Sequence, residues 1–185
     1  AQFIRDKVVP ELDAFRFASY CGISGVTKKE ETLADGAATV AALSAAVTAM
    51  DDEEVTATGR YLFITPTLLQ GINDMDTTKS KKVLEGFEQV IKVPQRRFYT
   101  AIKQLSGKTG EEAGGYTKAT GAANINFAIV QKDALIQYTK HAAPKIIAPE
   151  NNPDADAYVF GYRMVGIAKA YKNMLSGMYF SHDKA

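Results

Sequence analysis

Ile4, Val8, Leu12 and Phe15 recur every three to four residues, the period of a helix that buries one face. Pro10 falls inside this run and has no amide to donate, so the pattern predicts a helix over residues 1–20, interrupted near Pro10. Gly22 and Gly25 flank Ile23-Ser24 as a turn, and Lys28-Lys29-Glu30-Glu31 reads as a solvated connection. Helical spacing returns with Leu33, Val40, Leu43, Val47 and Met50, and Thr32 stands three residues before Asp35 in the manner of a capping box. This predicts a helix over 33–50 whose many alanines let it lie against a sheet along most of its length, ended by the acidic run Asp51-Asp52-Glu53-Glu54.

Period-two and β-branched signals take over after that run. Tyr61-Leu62-Phe63-Ile64-Thr65 reads as a buried strand, and Pro66 then opens a helix carried by Leu68, Leu69 and Ile72. Gln89 to Val93 and Ile125 to Val130 are further strands, with a shorter one from Leu135 to Tyr138 after a Lys132-Asp133 turn. Ser106 to Gly121, rich in Gly, Thr, Lys and Glu, reads as a long surface loop. The tail offers extended segments at Lys145-Ile146-Ile147 and Ala157 to Val165, separated by the Pro149–Pro153 cluster, and a last apolar piece from Met174 to Phe180. If the closing strands rejoin the early helices, residues 58–143 form an excursion into a second subdomain.

Composition narrows the function classes. The 185 residues suffice for one core or two small ones sharing a chain crossing, domains usually holding about 100–200 residues. No apolar run approaches the roughly 20 residues of a membrane-spanning helix, and no signal peptide is recognisable. With 22 basic against 21 acidic residues there is no global field to attract nucleic acid or anionic lipid. A single cysteine, Cys21, excludes an intrachain disulfide framework and fits a reducing setting. The first residue is Ala1, and Ala1-Gln2-Phe3-Ile4-Arg5 already has the spacing of a helix in progress, so the natural protein is expected to begin earlier.

Chemistry-bearing patterns are weak. Gly107-Lys108-Thr109 resembles the end of a phosphate-binding loop, but Ile102 stands where that motif requires its first glycine. The Asp51–Glu54 run lacks the alternating ligands and glycine of a calcium loop and reads as a solvated helix end. His141, His182 and Cys21 cannot by themselves make a four-ligand zinc site. No Gly-x-Ser-x-Gly elbow is present, Cys21 reads as a small core residue, and Glu111-Glu112 lies in a flexible loop without the apolar walls that raise a pKa. The expectation is therefore no catalytic, cofactor-binding or metal site. Residues 79–108 are locally basic, through Lys79, Lys81, Lys82, Lys92, Arg96, Arg97, Lys103 and Lys108. Interleaved Phe87, Phe98 and Tyr99 would suit stacking on single-stranded nucleic acid, whereas the plainer reading is a solvated face with its aromatics in the core.

Two stretches carry a family resemblance. They are Lys7-Val8-Val9-Pro10-Glu11-Leu12-Asp13-Ala14-Phe15-Arg16-Phe17, and the more specific run from Pro149-Glu150-Asn151-Asn152-Pro153-Asp154-Ala155-Asp156 through Ala157-Tyr158-Val159-Phe160-Gly161-Tyr162-Arg163. Both resemble tailed-phage and prophage major capsid proteins of the Hong Kong 97-type fold. Ala34-Asp35-Gly36, Leu62-Phe63-Ile64-Thr65-Pro66 and Tyr138-Thr139-Lys140-His141 fall in the family's order, so the resemblance spans nearly the whole chain. Pro153 departs from it, standing where relatives often have glutamine.

The resemblance implies an α+β fold. A peripheral P-domain, with a spine helix and an antiparallel sheet, would comprise residues 1–57 and 144–185, and an axial A-domain, a sheet flanked by helices, residues 58–143. Helix 33–50 looks like the spine. The family's N-terminal arm and E-loop hairpin, which clasp neighbouring subunits, are absent from this sequence, which on that reading is a truncated subunit. Implied too is a structural, non-enzymatic subunit that self-assembles with copies of itself, as hexamers and pentamers, into an icosahedral head enclosing DNA. Its further partners would be a scaffold, a head-maturation protease and non-specifically bound packaged DNA, with no membrane. It would sit in the virion capsid, after assembly in the host bacterial cytoplasm. The positions expected to carry assembly are Pro10, Glu11, Asp13, Pro149, Glu150, Asp156, Tyr162 and Arg163, with Asp156 and Arg163 inviting an ion pair. Lys81, Lys82, Arg96 and Arg97 are the expected lumen or nucleic-acid contacts. An encapsulin-type nanocompartment shell shares the fold but encloses an enzyme; a nucleic-acid-binding module using residues 79–108 is the alternative of another class.

Overall fold

The computed structural model describes residues 2–111 and 114–184. Pro10 does not break the first helix. It occupies the first turn of α1, Val9–Cys21, where its missing amide is no loss, and the chain ahead of it, Ile4–Val8, is wound as a wider π-helical turn. The expected interruption is thus a change of winding. Ala14, Tyr20 and Cys21 are buried on α1, and Phe17 sits edge-on to Phe63 at 5.3 Å and to Phe98 at 4.7 Å.

Lys28 and Lys29, read as a solvated connection, lie in a strand, β1 (Thr27–Glu30), whose four residues are all exposed. Nothing in its side chains announces it; a backbone ladder forms it. Next comes α2, Gly36–Asp52, with Asp35 as its N-cap: the Asp35 Oδ1 accepts from the Ala38 amide at 2.8 Å. Thr39, Ser44 and Thr48 donate their hydroxyls to carbonyls four residues back, at 2.7, 2.9 and 3.0 Å, and for the buried Thr39 this satisfies a polar group inside the packing. β2 (Arg60–Ile64) leads into α3 (Pro66–Asp74), Pro66 filling its first turn. α4 (Thr78–Glu85) opens on a capping box between Thr77 and Ser80.

Three strands then follow in short order: β3 (Gln89–Lys92), β4 (Ile102–Gln104) and β5 (Tyr116–Lys118). β4 and β5 pair antiparallel, so part of the expected 106–121 loop is the connection of a small hairpin. β6 (Ile125–Gln131) is buried at every position. The segments expected at 135–138 and 145–147 are one strand, β7 (Leu135–Ile147); Pro144 is tolerated because β7 has a partner on one side only. β8 (Val159–Ala170) returns along it, and β9 (Met178–His182) ends the chain.

Two sheets organise these elements besides the small hairpin. The larger has the order β1-β9-β6-β2-β3, parallel at β1/β9 and β2/β3 and antiparallel at the two central junctions. One face meets α2, α3 and α4: Val40, Leu43, Ala46 and Met50 share a core with Leu62, Ile64, Phe127 and Ile129. The other gathers Ala128, Val130, Met178 and Phe180 with Tyr20, Cys21 and Phe98. At the bulge beside Asn126 the side-chain Nδ2 of Asn126 donates to the Glu31 carbonyl at 2.9 Å, and the Ser181 hydroxyl donates to Glu31 Oε1 at 2.7 Å. β7 and β8 form the second sheet, a two-stranded ribbon in register from Leu135↔Ala170 to Ile147↔Val159.

The division expected at 57/58 and 143/144 does not follow these hydrogen bonds. β1 and β9 lie outside 58–143, yet share a sheet with β2, β3 and β6 inside it, and α2 closes that same core. The second boundary cuts β7 between Ala143 and Pro144, in the middle of the ribbon.

Candidate functional site

α1 is apolar in two directions: Phe17 faces the sheet, while Leu12 and Phe15, with Val8 from the preceding turn, line the side toward β8. Because α1 touches β8, the turn Gln95–Arg97 and β4, an open groove of about 1320 Å³ is left among these elements. Its floor is apolar, with Leu12, Phe15, Met164 and Ile167; Lys7, Arg16, Arg96 and Lys118 stand around it.

Polar contacts fix the groove's shape. Arg97 Nη1 donates to Asp13 Oδ2 at 3.2 Å, with both side chains about a third exposed, and Gln104 Nε2 donates to Glu11 Oε1 at 3.2 Å. The Tyr116 hydroxyl donates to the Arg96 carbonyl at 2.7 Å; partial burial pushes its ionisation up, and the nearby Arg97 charge opposes that. Lys118 Nζ donates to Asn124 Oδ1 at 3.0 Å and lies 5.8 Å from the centre of the Tyr99 ring. Arg16 and Arg96 have neither an ion-pair partner nor a side-chain hydrogen bond among the described residues.

Six of the residues singled out in the sequence meet at this groove: Pro10, Glu11, Tyr162, Arg96 and Arg97 line it, and Asp13 holds Arg97 from behind. Pro149, Glu150 and Asp156 lie elsewhere, in the tip of the β7–β8 ribbon, where Pro149–Asn151 makes a single 3₁₀ turn. The pairing expected of Asp156 with Arg163 is not formed. Arg163 stands opposite Ala143 on the exposed side of β8, whereas Asp156 lies in the tip beyond the last paired residue, Val159.

The basic 79–108 stretch does not make one patch. Lys81 and Lys82 are exposed on α4, which packs with α2 and α3 against one face of the sheet, and Lys81 Nζ pairs with Asp76 at 2.6 Å. Arg96 and Arg97 belong to the groove on the opposite side, by α1. Phe87 and Phe98 are buried, 8 % and 0 % exposed, so neither can stack on a base. Lys7, Arg16, Tyr116 and Lys118 were not among the residues expected to act, because only the fold brings residues so far apart in the chain to one place.

Other candidate chemistry is accounted for structurally. Cys21 is buried, and burial pushes its thiol up, away from the nucleophilic thiolate. Gly107-Lys108-Thr109 lies in the β4–β5 connection, with no helix beginning there. Glu111 binds Lys103 and the Ser106 amide and hydroxyl; Glu112 lies outside the described residues. Asp51 accepts from Arg60 at 2.7 Å. No group of three or more His, Cys, Asp or Glu among the described residues could hold a metal, and no helix among them is long and apolar enough to cross a membrane.

A second feature is the ribbon itself. Tyr138, Ile146, Tyr158 and Phe160 are 55–65 % exposed, and Val159, Val165 and Ile167 are exposed as well. Among the described residues neither outer edge of the ribbon has a strand partner.

No protein-family model matches the chain, and no curated protein sequence does. Solved structures do. A chain of Mycobacterium phage Che8 superposes with a TM-score of 0.58 at 9 % identity, over 94 % of this chain and 58 % of that one. A chain from the capsid structure of the cyanophage P-SCSP1u superposes with a TM-score of 0.51 at 17 % identity, over 94 % of this chain and 60 % of that one. This protein therefore has the fold of these phage proteins and spans about three fifths of their length.

Proposed function

We propose that this chain is part of a phage or prophage major capsid protein, a structural subunit that works by contacts with copies of itself. The observation that carries the reading is the β7–β8 ribbon: large apolar side chains are exposed along it, and among the described residues no strand pairs with either of its edges. A two-stranded ribbon is marginal alone in water, and open edges with apolar side chains invite association. The likeness to a capsid structure over 94 % of the chain supplies the kind of assembly in which such surfaces are covered. The sequence resemblance to Hong Kong 97-type capsid proteins supports the finer reading of an icosahedral head enclosing DNA.

On this reading the unit formed by the five-stranded sheet with α2, α3 and α4 is the axial portion, and α1 with the ribbon is the peripheral one. Helix α1, and not α2, then takes the place of the spine, because α1 is the helix that packs on the antiparallel ribbon. Lys81 and Lys82, exposed on the helical face of the sheet, are assigned to non-specific contact with packaged DNA; a scaffold and a maturation protease are the further partners during assembly in the bacterial host.

Negative-stain electron microscopy of the full-length gene product, expressed alone and with its neighbouring scaffold or protease gene, tests the reading. Closed shells or rings of five and six subunits are expected. Dispersed monomers in every condition overturn it.

A further inference from the structure

We infer that the acidic tip of the β7–β8 ribbon of one copy seats in the basic, apolar-floored groove beside α1 of a second copy. The inference rests on the self-assembling reading above and names one contact by which it is achieved.

The groove calls for an occupant of particular chemistry. At about 1320 Å³ and open along its length, it is larger than the roughly 300–1,000 Å³ of small-molecule pockets, so a chain segment fits it better than a metabolite. Its apolar floor needs covering, and the charges around it are unbalanced. Arg97 is paired with Asp13, while Lys7, Arg16, Arg96 and Lys118 stand against Asp6, already paired with Arg5, and Glu11, which accepts from Gln104. The fitting segment is acidic and carries exposed aromatic side chains.

The ribbon tip has that composition. Glu150, Asp154 and Asp156 lie in the turn from Ala148 to Tyr158 with no cation among them, and all three are exposed and form no ion pair among the described residues. Tyr158 and Phe160, stacked at 6.3 Å between ring centres and both more than half exposed, follow immediately. Glu150 is free to meet a guanidinium, and the two rings can cover Leu12 and Phe15.

The occupant cannot be the chain's own tip. Tyr162 of β8 already lines the groove, and the ladder runs three residues further, about 10 Å along an extended strand, to Val159, with Asp156 in the tip beyond it. The ladder up to Ile147↔Val159 keeps the tip pointing outward. Tip and groove are different patches, so the contact is heterologous, and repeating it closes a ring or extends a filament.

Charge reversal tests the pairing. A tip variant carries Glu150→Lys, Asp154→Lys and Asp156→Lys; a groove variant carries Lys7→Glu, Arg16→Glu and Arg96→Glu; none of these residues supports the core. Circular dichroism first establishes that both fold, and the milder set Glu150→Gln, Asp154→Asn, Asp156→Asn replaces the tip variant if it does not. In sedimentation velocity on the full chain each variant alone should associate at least about tenfold more weakly than the wild type, since facing like charges repel. An equimolar mixture should regain association, because it restores opposite charge at both contacts. Variants that assemble like the wild type, or a mixture that stays dissociated, overturn this contact while leaving the self-assembling reading intact. A wild-type chain that never associates, or one whose groove instead binds an oligonucleotide through Arg16 and Arg96, overturns both.

Discussion

Strands β6 and β8 are both rich in large apolar residues, yet β6 is buried at all seven of its positions and β8 at none of its twelve. What separates them is the number of neighbours. β6 sits between β9 and β2, with α2 and α3 on one face and α1 on the other, so Phe127, Ala128 and Ile129 are each wholly enclosed. β8 has β7 on one side and α1 under part of its length, and only its base, at Ala168 and Ala170, packs against the core. An apolar strand is therefore not evidence of a core by itself. The same residue types make a folding unit where the chain supplies its own partners, and an adhesive surface where it does not.

The sharpest test of that contrast is a pair of truncations at matched chemistry. Phe127→Ala should lower the stability of the dispersed chain by about 3–5 kcal/mol in a denaturant titration, the usual range for emptying an aromatic site in a packed core. Phe160→Ala should change it by no more than about 0.5 kcal/mol, because its ring is already 55 % exposed. The contrast collapses if Phe160→Ala costs as much as Phe127→Ala, for the ribbon would then belong to the core of the single chain.

A second comparison lies within the core, where α2 and α3 touch backbone to backbone. A Cβ on Gly36 would fall 2.1 Å from the Gly71 carbonyl oxygen, whereas a Cβ on Gly71 would find nothing nearer than 3.4 Å. Gly36→Ala should therefore cost about 1–3 kcal/mol by forcing the helices apart. Gly71→Ala, in a helix interior where alanine is favoured by about 1 kcal/mol, should come out near neutral. Thermal melts of the two variants check this; equal effects would mean that the crossing is not set by Gly36.

Much of the sheet unit was legible in the sequence, and the reason is visible in its residues. The strand at 60–64, the Pro66 helix start, the α2 stripe of Val40, Leu43 and Met50, and the apolar run at 125–131 are all elements whose side chains meet the core, so burial wrote their period into the chain. β1 was illegible because all four of its residues are exposed and only its ladder with β9 makes it a strand. α4 was hidden by Thr-Lys-Ser-Lys-Lys, with only Val83 and Leu84 packed against the core. The division at 57/58 and 143/144 runs between β1, β9 and α2 and the strands they meet in the sheet unit, because chain order says nothing of which strands pair. Pro10, Glu11, Asp13 and Tyr162 were marked in advance by resemblance, yet the groove was not, since it joins residues such as Asp13 and Arg97, 84 positions apart.

The ribbon prediction moves from stability to association. Phe160→Ser should leave the far-ultraviolet spectrum and melting behaviour of the dispersed chain unchanged within about 0.5 kcal/mol, while shells or rings of the full-length product are lost from electron micrographs. Unaltered assembly would show that the exposed aromatic pair at the head of β8 is not an adhesive surface.

The smallest effect concerns a segment that belongs to neither region and in which one carboxylate gathers several contacts. Glu111 sits in the β4–β5 connection with its carboxylate bound by Lys103 and by the Ser106 amide and hydroxyl, the latter two at 2.8 Å. The Lys103 contact first, and then the two from Ser106, hold its pKa down to about 2, below the 4.5 of an unperturbed glutamate. A depressed folded-state value means that the carboxylate's contribution is present above about 4.5 and is lost as pH falls through about 2. At pH 3 the connection should therefore still be in place, and nuclear magnetic resonance should find the Glu111 side chain titrating near 2. Lys103→Ala should move that midpoint upward more than Ser106→Ala does. A wild-type midpoint in the ordinary carboxylate range would show the contacts to be too exposed to matter.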